Sequence, residues 1–383
     1  MKVSIAKCDS YREEEIIFAL NEALAPLGGL DFVKCGMTVA IKANLVTFKH
    51  PDAAATTHPA MICALTKMLT KRGARVIIGD SPGGLYNHAF LNKVYSATGM
   101  TKATDIGGIL NQNFESKNAR FDEATVAKTF TYTAWLDEAD FIIDFCKLKS
   151  HGMMGMSGAA KNMFGVIPGT MKPEYHYRFP DPEDFANMIV DLDEYFKPCL
   201  SIADAVIGME GNGPTSGTPR KIGAIIASNS PHALDLVCAK IIGIDQNAVP
   251  TLCAAIKRNL IPDNISKLEI IGDVSRFTID DFKLVTNKRS LAFNSDLDSL
   301  YGKFSAEFCK KALTATPRLD SNECIGCGDC MRICPAKAIT MEQKRPTIER
   351  DKCIRCFCCQ EFCPKGAMKV HRPWIARLLI KNK

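Results

Sequence analysis

The sequence predicts a layered α/β domain with a largely parallel sheet, followed by a small α+β domain organised around cysteine. Two observations carry this. Up to about residue 275, apolar β-type runs alternate with amphipathic helical stretches, as strands joined by crossover helices do. From about Leu319 the alternation gives way to two matched copies of one cysteine phrase.

The elements follow in order from hydrophobic periodicity. Val3 to Cys8 reads as a strand and Glu13 to Leu27 as a helix. Thr38 to Val46 is a strand, Pro59 to Lys71 a helix and Ala74 to Gly79 a strand. Phe141 to Lys147 is a buried strand, Glu183 to Phe196 a helix and Leu200 to Val206 a strand. Ile222 to Ala227 is a strand, Ala233 to Ile242 a helix, and Lys267 to Gly272 closes the series. The α/β domain therefore spans 1–275. A less regular connecting or covering segment follows at 276–318, then the cysteine domain at 319–371 and a basic amphipathic tail at 372–383.

The cysteine domain carries the most specific signal. Cys324, Cys327, Cys330 and Cys334 precede Pro335, and Cys353, Cys356, Cys359 and Cys363 precede Pro364. Both copies read C-x2-C-x2-C-x3-C-P, the run that holds two 4Fe–4S clusters. Three closely spaced thiolates wrap three corners of a cube, and the fourth crosses to the other cube. The expected sets are Cys324, Cys327, Cys330 with Cys363, and Cys353, Cys356, Cys359 with Cys334. Zinc would want two separated pairs. A disulfide framework belongs to small secreted chains, and the start, Met1 to Ile5, lacks the apolar stretch of a secretory leader. The fold expected here is a ferredoxin-like, two-cluster α+β domain.

Composition narrows the classes further. The net charge of +6 falls wholly on the stretch from Leu319 onward, where 13 Lys and Arg face 7 Asp and Glu. That excess offsets the negative clusters and could steer acidic partners. The basic and aromatic interleaving of a nucleic-acid module is missing. No apolar run approaches the roughly 20 residues of a transmembrane span. Of the 17 cysteines, the non-ligand ones sit mostly in apolar surroundings, as in a reducing cytoplasm.

A second constellation lies at the ends of the α/β strands, where open sheets bind ligands. Lys42 and Asn44 end one strand, Asp80 and Ser81 another, and Lys147, Lys149 and His151 a third. Between Lys147 and Arg178 the chain sets Lys147, Lys149, Lys161, Lys172 and Arg178 against Glu174 alone, with five glycines, His151, His176 and Asn162. Lysines and glycine-rich backbone hold anions, and histidines pass protons near neutral pH. The expected substrate-binding residues are Lys42, Asn44, Ser81, Lys147, Lys149, Lys161 and Asn162. His151 or His58 is the expected acid or base, oriented by Asp80. Each has a structural reading as well: His58 precedes Pro59 and can cap its helix, and Asp80 with Ser81 can satisfy a turn. A metal held by His58, His151 and Asp80 is left open without a supporting motif. The G-x-G-x-x-G and P-loop signatures are both missing, and nothing marks a flavin site.

The phrases Lys42-Ala43-Asn44-Leu45-Val46, Thr57-His58-Pro59, Gly79-Asp80-Ser81-Pro82-Gly83, Lys149-Ser150-His151, Ser157 to Asn162 and Gly208-Met209-Glu210-Gly211 resemble the domain-of-unknown-function 362 family. That family is often fused to a bacterial-type ferredoxin domain. The resemblance covers roughly 35–245 plus the cluster domain; it implies an iron–sulfur protein and a ligand site but names no substrate. Two functions follow. One is a reductase passing electrons from a soluble donor through two clusters to an anionic small molecule. The other is a ferredoxin-type carrier whose α/β domain docks a partner enzyme.

Overall fold

The computed structural model describes residues 1–285 and 315–371. Residues 286–314 of the connecting segment, and the whole tail at 372–383, lie outside the described residues. In chain order the strands of the first body are β1 (Lys2–Lys7), β2 (Thr38–Ala43), β3 (Arg75–Gly79), β4 (Gly108–Leu110), β5 (Ser116–Arg120), β6 (Thr129–Thr133), β7 (Phe141–His151), β8 (Gly155–Ser157), β9 (Leu200–Glu210), β10 (Thr218–Ser228) and β11 (Glu269–Ile271). Its helices are α1 (Glu13–Leu24), α2 (Pro59–Thr70), α3 (His88–Ala97), α4 (Ala159–Asn162), α5 (Lys172–Arg178), α6 (Pro182–Phe196), α7 (Pro231–Ile241) and α8 (Pro250–Lys257).

The main sheet runs β11-β1-β10-β9-β7-β2-β3-β4, with β8 folded back on β7. The β1/β11, β7/β9, β2/β7, β2/β3 and β3/β4 pairs are parallel, and β10 is antiparallel to both its neighbours. β5 and β6 form a separate hairpin. Helices cover both faces. Residues of α1, α2 and α3 pack with Ile41, Ile78 and Phe145 on one side, and α7 and α8 pack with Val3, Ala203 and Ile226 on the other. Phe277 and Phe282, from the start of the connecting segment, are buried in the second core. Strands covered on both faces read as continuous apolar runs, which is why β2, β3 and β7 are legible in the sequence. Local chemistry fixes the helix ends. Asp181 caps α6 by accepting from Glu183 N at 2.8 Å, with Pro182 at the first position.

Three strands outrun their expected bounds, β10 by starting at Thr218 where Ile222 is expected. β7 continues from Lys147 to His151, and β9 from Val206 to Glu210. Charged residues are rarely buried, so a lysine reads as a strand end. Here Lys147 and Lys149 are both about 1% exposed, inside the sheet. The placement of β2 matters most for function. β3 and β4 lie to one side of it and β7 to the other, so the strand order reverses there. Such a reversal opens a crevice at the carboxyl ends of the strands.

The second body contains β12 (Thr316–Leu319), α9 (Asp329–Arg332), β13 (Ile339–Glu342), β14 (Arg345–Ile348), α10 (Cys358–Glu361) and β15 (Met368–His371). β12 pairs with β15 and β13 with β14, both antiparallel.

Candidate anion site and iron–sulfur centres

The crevice at the end of β2 is lined with buried nitrogen. Lys42 Nζ pairs with Asp80 Oδ1 at 2.7 Å, and the side chains of both are at most 5% exposed. Asp80 also accepts from Leu45 N at 2.7 Å and from Ser81 N at 2.8 Å, so it anchors Lys42 and a turn; among the described residues it holds no histidine. Gly165 packs against this pair: a Cβ there would lie 2.2 Å from Asp80 Oδ1. Asn162 Oδ1 accepts from Asn44 Nδ2 at 2.8 Å, and Asn44 Oδ1 accepts from Lys149 Nζ at 2.8 Å. The loop after β2, the strand β7 and the helix α4 are thereby bound into one network.

Three lysines make no ion pair among the described residues, although the Glu361 and Asp80 carboxylates act on each of them through space. Lys149 Nζ donates only to Asn44 Oδ1 and Ala55 O, and Lys172 Nζ donates to Ser81 O. Lys161 Nζ has no hydrogen-bond acceptor among the described residues and sits 4.7 Å from the centre of the Phe164 ring. Burial pushes all three below the usual lysine range, Lys149 to about 7 and Lys172 to about 8. His151 lies beside them. Its Nδ1 accepts from Met153 N at 3.1 Å and Met154 N at 3.2 Å, which assigns the proton to Nε2. Burial, and then Lys161 and Lys149, hold its pKa well below normal, so the ring is neutral. Nε2 and Ser81 Oγ are buried without partners among the described residues. The cavity these groups enclose is small, about 40 Å³ counted at water centres, room for roughly three waters.

The expected site residues thus separate. Asn44, Asp80, Ser81, Lys149, His151, Lys161 and Asn162 line the cavity, and Lys42 stands behind Asp80. Lys147 and His58 do not line it. Lys147 Nζ pairs with buried Asp204 at 2.8 Å. His58 caps α2 by accepting from Ala60 N at 3.2 Å, and its ring stacks on Tyr11 at 3.6 Å. Burial lowers the His58 pKa to about 4. Among the described residues, no three His, Cys, Asp or Glu side chains converge as a single metal ion would require.

The cysteines fit cubane clusters in the crossed arrangement. Cys324, Cys327, Cys330 and Cys363 line one cavity. Cys334 is among the thiols that act electrostatically on Cys353 and Cys359, as Cys330 also does on Cys359. The two cysteines expected to cross are treated alike: Ala338 N donates to Cys334 Sγ and Ala367 N to Cys363 Sγ, each at 3.2 Å. Such bonds stabilise a thiolate. Cys363→Ser is expected to alter the electron paramagnetic resonance signal of the Cys324, Cys327, Cys330 site. A change confined to the Cys353-based site would overturn the crossing.

Comparison with known proteins agrees with both halves of the chain. Residues 39–240 match the domain of unknown function DUF362, and residues 316–364 match a 4Fe–4S dicluster domain. A thylakoid-associated protein of Synechocystis sp. is 31% identical over 319 residues, covering 81% of this chain and 97% of that protein. The chain belongs to the DUF362 family. Two solved structures share fold features at a TM-score of 0.38: the lactate racemase apoprotein of Thermoanaerobacterium thermosaccharolyticum, 13% identical, and a Thermotoga maritima protein, 14% identical. Each match covers 61% of this chain, and 56% and 59% of the respective structures, which is less than two thirds of either.

In this DUF362 chain the iron–sulfur domain contributes to the wall of the cavity. Glu361, from α10, is one of its lining residues. Gln360 Nε2 donates to Asn212 Oδ1 and Gly213 O, both at 3.0 Å, and Thr215 Oγ1 donates to Glu361 O at 3.3 Å. The Phe362 ring lies over Gly83, where a Cβ would come within 2.6 Å of it. Sequence reasoning missed Glu361 because it sits in the other domain among cluster ligands, where no local signal points to a pocket. Among the described residues, no helix is long and apolar enough to cross a membrane.

Proposed function

We propose that this chain is an iron–sulfur reductase that binds a small anion in the crevice at the end of β2. The observation supporting it is the convergence of three buried lysines without an ion-pair partner among the described residues, Lys149, Lys161 and Lys172, with the unpartnered His151 Nε2 and Ser81 Oγ, around one cavity to which the cysteine domain adds Glu361. Buried polar groups without partners are costly, and a bound oxyanion would satisfy His151 Nε2 and Lys161 and balance the charge of the other two lysines. The size of the cavity favours a carboxylate or inorganic oxyanion. Bound clusters supply single electrons. A soluble reduced donor loses two electrons per turnover, and the anion takes up two electrons and two protons.

The chain's own residues divide this task. Lys161 and Lys172 hold the anion. Lys149, with a pKa of about 7, is suited to give up a proton near neutrality. His151 is neutral, so it acts as a hydrogen-bond donor instead of an acid. The scattered reduced cysteines fit a cytoplasmic setting. The test is to reduce the anaerobic protein and offer small carboxylates and oxyanions, following the iron–sulfur chromophore. Reoxidation by one chemical class supports a reductase. No reoxidation, with no binding, leaves a carrier.

The lysines also set a pH dependence. A group that binds the anion only when charged contributes below its free pKa and is lost as pH rises through it. With Lys149 at about 7 and Lys172 at about 8, sulfate affinity should be greatest near pH 6 and fall above pH 7. The limiting slope is about tenfold per pH unit for each neutralised lysine. Sulfate is the probe because its own charge is constant in this window. A flat affinity from pH 6 to 9 would remove both lysines from the site.

A further inference from the structure

The two cysteine copies differ most where a divided role would require it. Position by position, 29 residues apart, Gly328, Asp329, Met331, Arg332 and Ile333 of the first copy become Phe357, Cys358, Gln360, Glu361 and Phe362 of the second. In the first copy Met331 and Arg332 are exposed, and so are Ile325 and Cys327. In the second, Phe357, Cys358 and Gln360 are buried.

The backbone records the same change. Gly326 and Gly328 have φ of +68° and +77°, where glycine is at ease; Arg355 and Phe357 hold φ of +58° and +61° in their place. A bulky side chain is uncommon there and costs conformational energy. The Phe357 ring offsets that cost by packing into the α/β core with Met153 and Phe164. Glycine would suffice to wrap the cysteines, so the phenylalanine serves the contact between domains.

We infer that the two cysteine sets form an inner and an outer station. The Cys353, Cys356, Cys359 and Cys334 set packs on the α/β body through Phe357 and Gln360 and reaches the anion cavity through Glu361. The Cys324, Cys327, Cys330 and Cys363 set opens to solvent beside exposed Ile325 and Met331, where a soluble electron-transfer partner has access. The direction of flow between them rests on the reductase reading, but the inner and outer placement does not.

The test uses the full chain, loaded with iron and sulfide and kept anaerobic. Iron release to a soluble ferrous chelator is expected in two phases, the faster one lost in Cys327→Ser. Phe357→Gly restores the residue type of the first copy and relieves the backbone. It should raise the slower rate by about tenfold or more through local opening of the interface, and leave the faster one unchanged. Gln360→Ala should act in the same direction with Phe357 intact. Single-phase release by the wild type, or a slow phase indifferent to both variants, overturns the placement. The second readout is the midpoint potential of each site as sulfate is added. If sulfate binds tenfold more weakly once the inner site is reduced, that site's midpoint falls by about 59 mV. The outer site should move less, and a larger shift there overturns the inference. If sulfate shifts neither site while the two release phases still respond to Phe357→Gly, the inner and outer placement stands and the anion reading falls.

Discussion

Replacing Lys161 by alanine is expected to weaken sulfate binding by about 10- to 150-fold, with iron, sulfide and the visible spectrum unchanged. The range corresponds to about 1.5–3 kcal/mol for a hydrogen bond to a charged group. Lys161 is chosen over its neighbours for a physical reason. Lys42 is neutralised by Asp80, and Lys149 is tethered to Asn44 and Ala55. Lys161 is 8% exposed and holds no acceptor among the described residues, so its hydrogen-bonding capacity is unspent. Its stem belongs to the short helix α4, whose first N–H groups are held by Asp235 through Ala159 at 2.7 Å and Ala160 at 3.1 Å. The side chain therefore projects from a fixed base. Lys161→Met, which keeps the stem, should lose nearly as much as alanine. Isothermal titration at pH 6.5 measures it, and equal affinity in all three proteins would take Lys161 out of the site.

Much of this was legible because it is local. The cysteine spacing needs no tertiary information, since one cluster corner follows another within a single turn of chain. The strands β2, β3 and β7 were legible as apolar runs because both faces are covered. Their polar ends could be gathered into one crevice on topology alone.

What was not legible is which lysine each acid neutralises. On a regular strand Lys147 and Lys149 would point to the same face. The pairing of β7 with β9 slips between those two residues, so they serve different networks: Lys147 goes to Asp204 and Lys149 to the cavity. A break in register is set by the neighbouring strand and leaves no mark in the local sequence. His58 illustrates the same limit. The phrase Thr57-His58-Pro59 suits either a cap or a base; the ring accepts from Ala60 N close by, while the ring that stacks on it, Tyr11, lies far away in the chain. Glu361 is further still, reaching the cavity only because the two domains pack together.

The Asp204 network carries the largest expected effect on stability. Asp204 is fully buried and accepts from Lys147 Nζ at 2.8 Å, Tyr11 Oη at 2.9 Å, His58 N at 2.9 Å and Val206 N at 3.3 Å. It joins β9 to β7, to the start of α2 and to the segment before α1. Asp204→Ala strands the Lys147 ammonium in the interior with, among the described residues, the Tyr11 hydroxyl at 2.9 Å as its remaining hydrogen-bond partner. Breaking a buried pair in this way costs about 3–5 kcal/mol, a large part of the roughly 5–15 kcal/mol that holds a domain folded. Removing both charges is different in kind. Asp204→Ala combined with Lys147→Met should recover a good part of the loss, because no charge is then left without a partner. Anaerobic urea unfolding gives both values. Neither residue lines the cavity, so sulfate affinity of the folded double variant should stay within about threefold of wild type. A stability unchanged by Asp204→Ala would mean that Lys147 finds another acceptor. A tenfold loss of sulfate affinity in Lys147→Met alone would return that lysine to the anion site, against its pairing with Asp204.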